Sequence, residues 1–176
     1  VAQIDAMGLP RDTWDDVVTS GDTARAAMFR GAVGQKVFFM GEPHDLVFFE
    51  PSELVADPVA IDRVGLHEAE GIVCTGPFDP MAPVEDLRPI LLEAKARGMK
   101  LLCANPDVVV DRGHQRIYCA GALAQLYTEM GGTSFYFGKP HPPIYDLARR
   151  RLATLAPIDD ARILVIGDGP STDVQG

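Results

Sequence analysis

The sequence lacks long apolar runs, has few cysteines and carries no excess of positive charge. None of its apolar runs approaches the roughly 20 residues that a bilayer crossing needs, so we expect no membrane partner. No basic segment followed by an apolar stretch opens the chain, and we therefore expect no secretory signal. Its 25 acidic residues outnumber 16 basic ones, giving a net charge of -9. That balance disfavours nonspecific nucleic-acid binding, which needs a basic face.

Cysteine is also scarce, and its spacing is uninformative. The three cysteines, Cys74, Cys103 and Cys119, are far apart, and no C-x-x-C pair occurs. Neither a zinc knuckle nor a dithiol redox site is therefore indicated. Cys74 and Cys103 lie in apolar runs, which is typical of buried small hydrophobic residues. This usage fits a reducing compartment, and we predict a cytoplasmic location.

What the sequence does have is an alternation of strand-like and helix-like segments. With 176 residues and 47% apolar content, the chain is long enough to bury a core of one or two domains. Residues 46–49 fit either a strand or a short helix. The alternation predicts an α/β fold with a mainly parallel sheet. Strands are predicted at 16–20, 35–40, 72–74, 100–104, 134–137 and 163–166, and helices at 20–28, 86–97, 120–130 and 142–155.

The last apolar run is followed by two carboxylates in a glycine turn. Asp168 comes directly after residues 163–167, and Thr172 and Asp173 follow. Acidic residues at the carboxyl end of a buried strand lie where open α/β sheets bind ligands. Carboxylate oxygens are hard ligands that suit Mg²⁺, with Asp168 as a direct ligand and Asp173 as a second ligand or a group that orients bound water. The structural alternative is an Asx turn followed by a helix N-cap.

A lysine and an amide-acid pair follow two earlier strands. Lys139, in a Gly-Lys-Pro sequence, would neutralise a phosphate and a nearby carboxylate, or would simply be a surface lysine in a proline-rich loop. Asn105 and Asp107 would bind hydroxyls or an amide of a substrate. Their alternative role is an ordinary turn after a strand.

Taken in order, four segments carry a family resemblance: residues 104–107, 119–122, 137–145 and 163–176. Each is weak alone, but together they resemble the haloacid dehalogenase superfamily. Within it they look like the class IIA phosphatases, which include N-acetylglucosamine-metabolism phosphatases, 4-nitrophenylphosphatases and pyridoxal phosphatases. The resemblance extends from about Val18 to Gly176.

The resemblance implies a partial Rossmann-like core with an inserted α/β class II cap. Residues 1–21 would be a core segment, 22–133 the cap and 134–176 the second, truncated part of the core. Lys139, Asp168 and Asp173 would be catalytic, and both aspartates would hold Mg²⁺. Asn105, Asp107 and Lys139 would bind substrate.

One departure from the family affects the expected activity. The family nucleophile lies in an Asp-x-Asp-Gly-Thr strand, and the sequence around Asp5 does not match it. The resemblance therefore implies an internal piece of a magnesium-dependent phosphatase that acts on a small phosphomonoester, such as a sugar phosphate, through an aspartyl-phosphate. Residues 1–176 alone are expected to be inactive.

Two other functions fit the same residues. One is a non-catalytic domain that binds a phosphorylated ligand, and the other is a flavodoxin-like receiver without a cap. In each phosphate-binding case the expected partner is a small phosphorylated metabolite. Class IIA caps often pair subunits, so a homo-oligomer through the cap is compatible with the resemblance, and the oligomeric state is open.

Overall fold

The computed structural model describes residues 2–50 and 55–176, and its centre is a five-stranded, entirely parallel sheet. The strand order is β2-β1-β3-β4-β7. A separate antiparallel hairpin, β5–β6, follows β4 in the chain. The α/β prediction is confirmed. The strands are Lys36–Met40 (β1), Asp62–Arg63 (β2), Gly71–Cys74 (β3), Lys100–Cys103 (β4), Val109–Arg112 (β5), Gln115–Tyr118 (β6) and Thr133–Tyr136 (β7).

In the described part of the chain, five α-helices and five 3₁₀ turns precede, link or follow these strands. None of the helices in the described part of the chain combines the length and apolar character that a bilayer crossing requires. The α-helices are Ala2–Ala6 (α1), Ser20–Phe29 (α2), Arg88–Ala96 (α3), Ala120–Glu129 (α4) and Pro142–Leu155 (α5); the 3₁₀ turns are Arg11–Thr13, Pro43–Phe49, Leu66–Glu68, Val84–Leu87 and Asp160–Arg162.

Helices cover both faces of the sheet because successive strand residues point to opposite sides. On one face, Ile72 and Leu101 pack with residues of α3 and α4 in a single buried cluster. On the other face, Val73 and Leu102 pack with residues of α2. Burial on both faces explains why these strands read as continuous apolar runs rather than alternating ones.

The predicted last strand, residues 163–166, does not form. This segment pairs with no strand among the described residues, and its side chains lie largely in solvent, with Leu164 83% and Ile166 88% exposed. An apolar run becomes a sheet strand only where a neighbouring strand satisfies its backbone N–H and C=O groups. Strand β7 forms the edge of the sheet, and residues 163–166 do not pair with it.

The predicted strand at 16–20 is also wrong. Thr19 is instead the N-cap of α2, and its hydroxyl accepts a hydrogen bond from the Asp22 backbone N–H at 3.0 Å. Capping takes Thr19 and Ser20 out of any sheet, because these two residues begin the helix. The sequence Ser-Gly-Asp at 20–22 offers capping residues for this helix, but the N-cap is Thr19.

The structure settles three further points about the predicted elements. The helix predicted from Asp86 begins at Arg88, after a 3₁₀ turn, which places Pro89 in the first helical turn where its missing N–H costs nothing. Residues 46–49 belong to the 3₁₀ helix Pro43–Phe49, which decides between the two alternatives. The β5–β6 hairpin was not predicted.

The expected boundary between cap and core, at residues 133 and 134, falls within β7. This strand is hydrogen-bonded to β4, with Cys103 opposite Tyr136. β7 therefore belongs to the same sheet as the strands assigned to the cap. The division into domains stays a prediction.

Candidate active site

Two loops that carry predicted site residues meet at the carboxyl edge of the sheet. Because β4 and β7 are neighbours, the loop with Asn105 and Asp107 and the loop with Lys139 leave the sheet side by side. Gly138 allows their contact, since a Cβ there would overlap the ring of Pro106. The two loops can therefore approach closely because one has a glycine where the other has a proline.

Backbone bonds to the start of α4 fix the Asn105–Asp107 loop. The backbone N–H of Gly121 donates to the Asp107 carbonyl at 3.0 Å, and that of Cys119 donates to the Val108 carbonyl at 3.0 Å. The side-chain oxygen of Asn105 accepts the Asp107 backbone N–H at 3.1 Å. Asn105 therefore does form the turn given as its structural alternative, and this turn presents the exposed carboxylate of Asp107.

The central interaction of the site is an ion pair between Lys139 and Asp173, which are 34 residues apart in the chain. The ammonium of Lys139 donates a hydrogen bond to Oδ1 of Asp173. This bond raises the pKa of Lys139 and lowers the pKa of Asp173. Lys139 is 48% exposed and Asp173 only 13%, so the carboxylate is fixed while the ammonium still faces solvent.

Asp173 is held on its other side by its own turn. Its Oδ2 accepts the Gly169 backbone N–H at 3.1 Å, which adds to the lowering of its pKa. Both carboxylate oxygens thus accept hydrogen bonds. Asp168, by contrast, lies on the exposed segment just before the turn.

A pocket of about 240 Å³ opens between the two loops and the start of α2. Asn105, Asp107 and Lys139 all line it, so the structure brings these three predicted residues together with Asp173 beside them. Asp168 does not line it. Thr19, Ser20 and Ile144 were not predicted as site residues. The Thr-Ser pair is a common helix N-cap sequence and could have indicated that a helix begins here. The lining residues are Val18, Thr19, Ser20, Asn105, Pro106, Asp107, Gly138, Lys139, Ile144 and Thr172.

The acidic residues here suit Mg²⁺ in number and type. The described residues contain no group of three or more His, Cys, Asp or Glu arranged to hold a metal. Magnesium, however, usually takes only one or two protein carboxylates and completes its shell with water and phosphate. An exposed Asp168 carboxylate fits direct ligation, and a hydrogen-bonded Asp173 fits the orientation of neighbouring groups.

Comparisons with known proteins agree with this architecture. Residues 136–176 match the family model described as HAD-hydrolase-like. No curated protein matches the sequence significantly. A haloacid dehalogenase-like hydrolase from Brucella suis 1330 is 39% identical, with a TM-score of 0.87 over 99% of this chain and 65% of that one.

Phosphatases of known structure share the fold at lower identity. The p-nitrophenyl phosphatase from Archaeoglobus fulgidus is 22% identical with a TM-score of 0.66, and a double mutant of the thermostable NPPase from Geobacillus stearothermophilus is 19% identical with a TM-score of 0.67. Each match covers 99% of this chain and 62% of the other. The chain thus spans slightly less than two thirds of the length of these structures.

The family match lies on the segment that contains Lys139, Asp168 and Asp173, and the 39% identical structure covers nearly the whole chain. The resemblance drawn from the four sequence segments is therefore confirmed: the chain is similar to haloacid dehalogenase-like hydrolases over nearly its whole length.

Proposed function

We propose that this chain provides the phosphate-binding lysine and the acidic residues of a magnesium-dependent phosphatase that acts on small phosphomonoesters. The observation that carries the proposal is the ion pair between Lys139 and Asp173 at the mouth of a pocket lined by Asn105 and Asp107. The p-nitrophenyl phosphatases with the same fold support the reaction class.

Lys139 binds and neutralises the phosphoryl group in this proposal. Lysine is protonated at neutral pH, and the hydrogen bond to Asp173 raises its pKa further; its half-exposed position lets it reach an anion in the pocket. A fixed cation aimed at developing negative charge is among the largest contributions to catalysis. Asp173 positions this cation because its own carboxylate is anchored by the Gly169 N–H.

Asp168 would hold Mg²⁺, with Asp173 close by. The ion would supply positive charge that offsets the charge on the transferring phosphoryl group. Asn105 and Asp107 would contact the leaving alcohol, because they line the same pocket as the phosphate-binding lysine. A cavity of about 240 Å³ suits a sugar phosphate or a molecule of similar size.

The attacking group has to come from outside residues 1–176, because this sequence contains no Asp-x-Asp-Gly-Thr motif. In the proposed reaction an aspartate oxygen forms a bond to phosphorus while the ester P–O bond breaks, and a second carboxyl gives its proton to the leaving alcohol. Water then hydrolyses the aspartyl-phosphate. The proposal also includes a role for residues 22–133, the expected cap, which would enclose the substrate.

We further propose that the protein is cytoplasmic and that its partner is a small phosphorylated metabolite. Cys74 and Cys103 are buried and carry free thiols, which fits a reducing compartment. A homo-oligomer through the expected cap is compatible with the family. Nucleic acid is not an expected partner, given the net charge of -9.

The proposal is tested with substitutions in the intact protein that carries this chain. Asp168→Asn is expected to reduce the turnover of 4-nitrophenyl phosphate about a hundredfold, and Lys139→Ala by a similar factor, since each removes a charge next to the reacting phosphoryl group. Asp146→Asn is the matched control because Asp146 is an exposed aspartate on α5 away from the pocket. Turnover in Asp168→Asn equal to that of the control would contradict the assigned role.

A second measurement separates the enzyme from a non-catalytic phosphate-binding domain. The polypeptide of residues 1–176 is expected to show no hydrolysis with or without Mg²⁺, while the intact protein hydrolyses phosphomonoesters only with Mg²⁺. Binding of phosphomonoesters without hydrolysis by the intact protein would favour the non-catalytic function. Hydrolysis by residues 1–176 would refute the expectation that this polypeptide lacks the nucleophile.

A further inference from the structure

The turn that carries Asp173 lies in a region with little packing. Residues 163–176 contain no buried residue, and within the turn the backbone bonds are local, such as those from Asp173 and Val174 N–H to the Gly169 carbonyl at 2.8 and 3.1 Å. Local bonds give the turn its shape but do not fix where it lies. Its position relative to Lys139 must come from contacts with other elements.

Two hydrogen bonds in the described part of the chain connect this turn to the rest of the molecule. One is the bond from Lys139 to Asp173, and the other runs from the hydroxyl of Tyr145 to the backbone carbonyl of Thr172 at 3.4 Å. The first is made by a group that, on the proposed function, must also bind phosphate. The second is independent of the substrate.

Tyr145 also contacts the end of the turn. Its ring lies so close to Gly176 that a Cβ at that position would overlap the hydroxyl and the ring carbons. Tyr145 stands in the first turns of α5, six residues after Lys139, so a single short segment connects the tyrosine to the lysine. Residues 142–144, between the two, are helical, which limits their relative movement.

We propose that Tyr145 is a positioning residue that holds the Asp173 turn against Lys139. It touches neither the pocket nor the reacting atoms, and it acts by fixing the Thr172 carbonyl and the chain around Gly176. When Lys139 shifts its hydrogen bond towards a phosphate, the tyrosine keeps Asp173 in place. The catalytic part of this inference rests on the proposed function, whereas the structural part does not.

The first test does not require activity. In Tyr145→Phe the backbone amides of residues 172–174 are expected to exchange with deuterium about three to ten times faster than in the original chain, because one of two tethers is lost. Amides of β4 should exchange at an unchanged rate. Tyr118→Phe is the matched control, since Tyr118 is a partly exposed tyrosine on the hairpin. Equal exchange at 172–174 in both variants would overturn the proposal.

A second variant and a kinetic measurement make the test sharper. Tyr145→Leu removes the ring contact as well as the hydroxyl, so it should raise exchange at 172–174 further than Tyr145→Phe. In the intact protein, Tyr145→Phe should lower kcat about three- to tenfold with KM and the melting temperature nearly unchanged. A melting temperature that falls along with kcat would indicate a merely structural role and refute positioning. Inactivity of the original protein would count against the proposed function alone, because the exchange result is independent of it.

Discussion

Helices α4 and α5 both carry an apolar stripe, but α5 is the more charged of the two and their surroundings are very different. Seven of the ten residues of α4 are buried, including Leu123 and Tyr127, whereas no residue of the longer α5 is. Helix α4 packs against α3 and the sheet, while α5 contacts mainly α2 and leaves Leu155 54% exposed. An apolar stripe therefore predicts the helix, but burial depends on what the rest of the chain places against it.

The same contrast separates two apolar runs. Leu101 and Leu102 of β4 are fully buried between two strands and two layers of helix. Leu164 and Val165, which are equally apolar, are exposed and unpaired within the described residues. The stability of this structure is concentrated in the sheet and its helices, and the site joins this packed part to a lightly packed one through Lys139, Asp173 and Tyr145.

The largest expected effect tests the contrast between the two helices directly. Leu123→Ala in α4 is expected to lower the free energy of unfolding by about 2–5 kcal/mol, because it leaves a cavity in a fully buried cluster. Leu152→Ala in α5 should cost less than about 1 kcal/mol, since Leu152 is only half-buried. Urea denaturation of both variants measures the difference, and equal losses would show that α5 is packed as α4 is.

An intermediate effect concerns a buried hydrogen bond in the packed region. The hydroxyl of Tyr127 donates to the Met99 carbonyl at 2.6 Å, and the side chain is fully buried. Tyr127→Phe should therefore cost about 1–3 kcal/mol, because a buried carbonyl loses its partner. In Tyr118→Phe, the exposed control, the change should stay within about 0.5 kcal/mol. A Tyr127→Phe variant as stable as the control would mean that the bond contributes nothing.

The smallest effect is the acid dependence of a surface carboxylate at the amino end of β1. Glu70 accepts hydrogen bonds from the backbone N–H groups of Gln35 and Lys36, at 2.7 and 3.2 Å, and these bonds lower its pKa from 4.5. Because the folded-state pKa is depressed, the stabilisation is complete above the unfolded pKa and disappears as the pH falls through the folded value.

Melting temperatures of the original chain and of Glu70→Gln test this prediction. The original chain should be slightly more stable at pH 7, and the gap should close as the pH is lowered below about 4. Glu68→Gln, a change at a neighbouring exposed glutamate, is the control. A gap that widens in acid would show the opposite sign of linkage.

Most of the regular elements were predictable from the sequence, for identifiable reasons. The runs at β3 and β4 are apolar throughout, as strands buried on both faces require, and Gly98 and Gly131 end the helices before β4 and β7. Lys139 and Asn105 were found because each follows a strand end. The β5–β6 hairpin was missed because its strands lie on the surface and show no clear apolar alternation.

The site was less predictable than the elements. Nothing in the local sequence shows that Tyr145 reaches the Thr172 carbonyl, or that Thr19 and Ser20 reach the same pocket as Asp107. These contacts join segments that are 27 and more residues apart, so only the packing of whole elements creates them. The roles of Asp168 and Asp173 with Mg²⁺ stay predictions.

Local sequence is enough to predict most of the alternation of strands and helices, the helix ends at Gly98 and Gly131, and the family resemblance, because these depend on local periodicity, on glycine and proline, and on motif order. Tertiary structure alone decided which apolar segments are buried and which charged groups meet. The physical reason is that burial and ion pairing are properties of two surfaces in contact. Residues 163–166 are as apolar as β4, yet they stay in solvent because no described strand lies beside them.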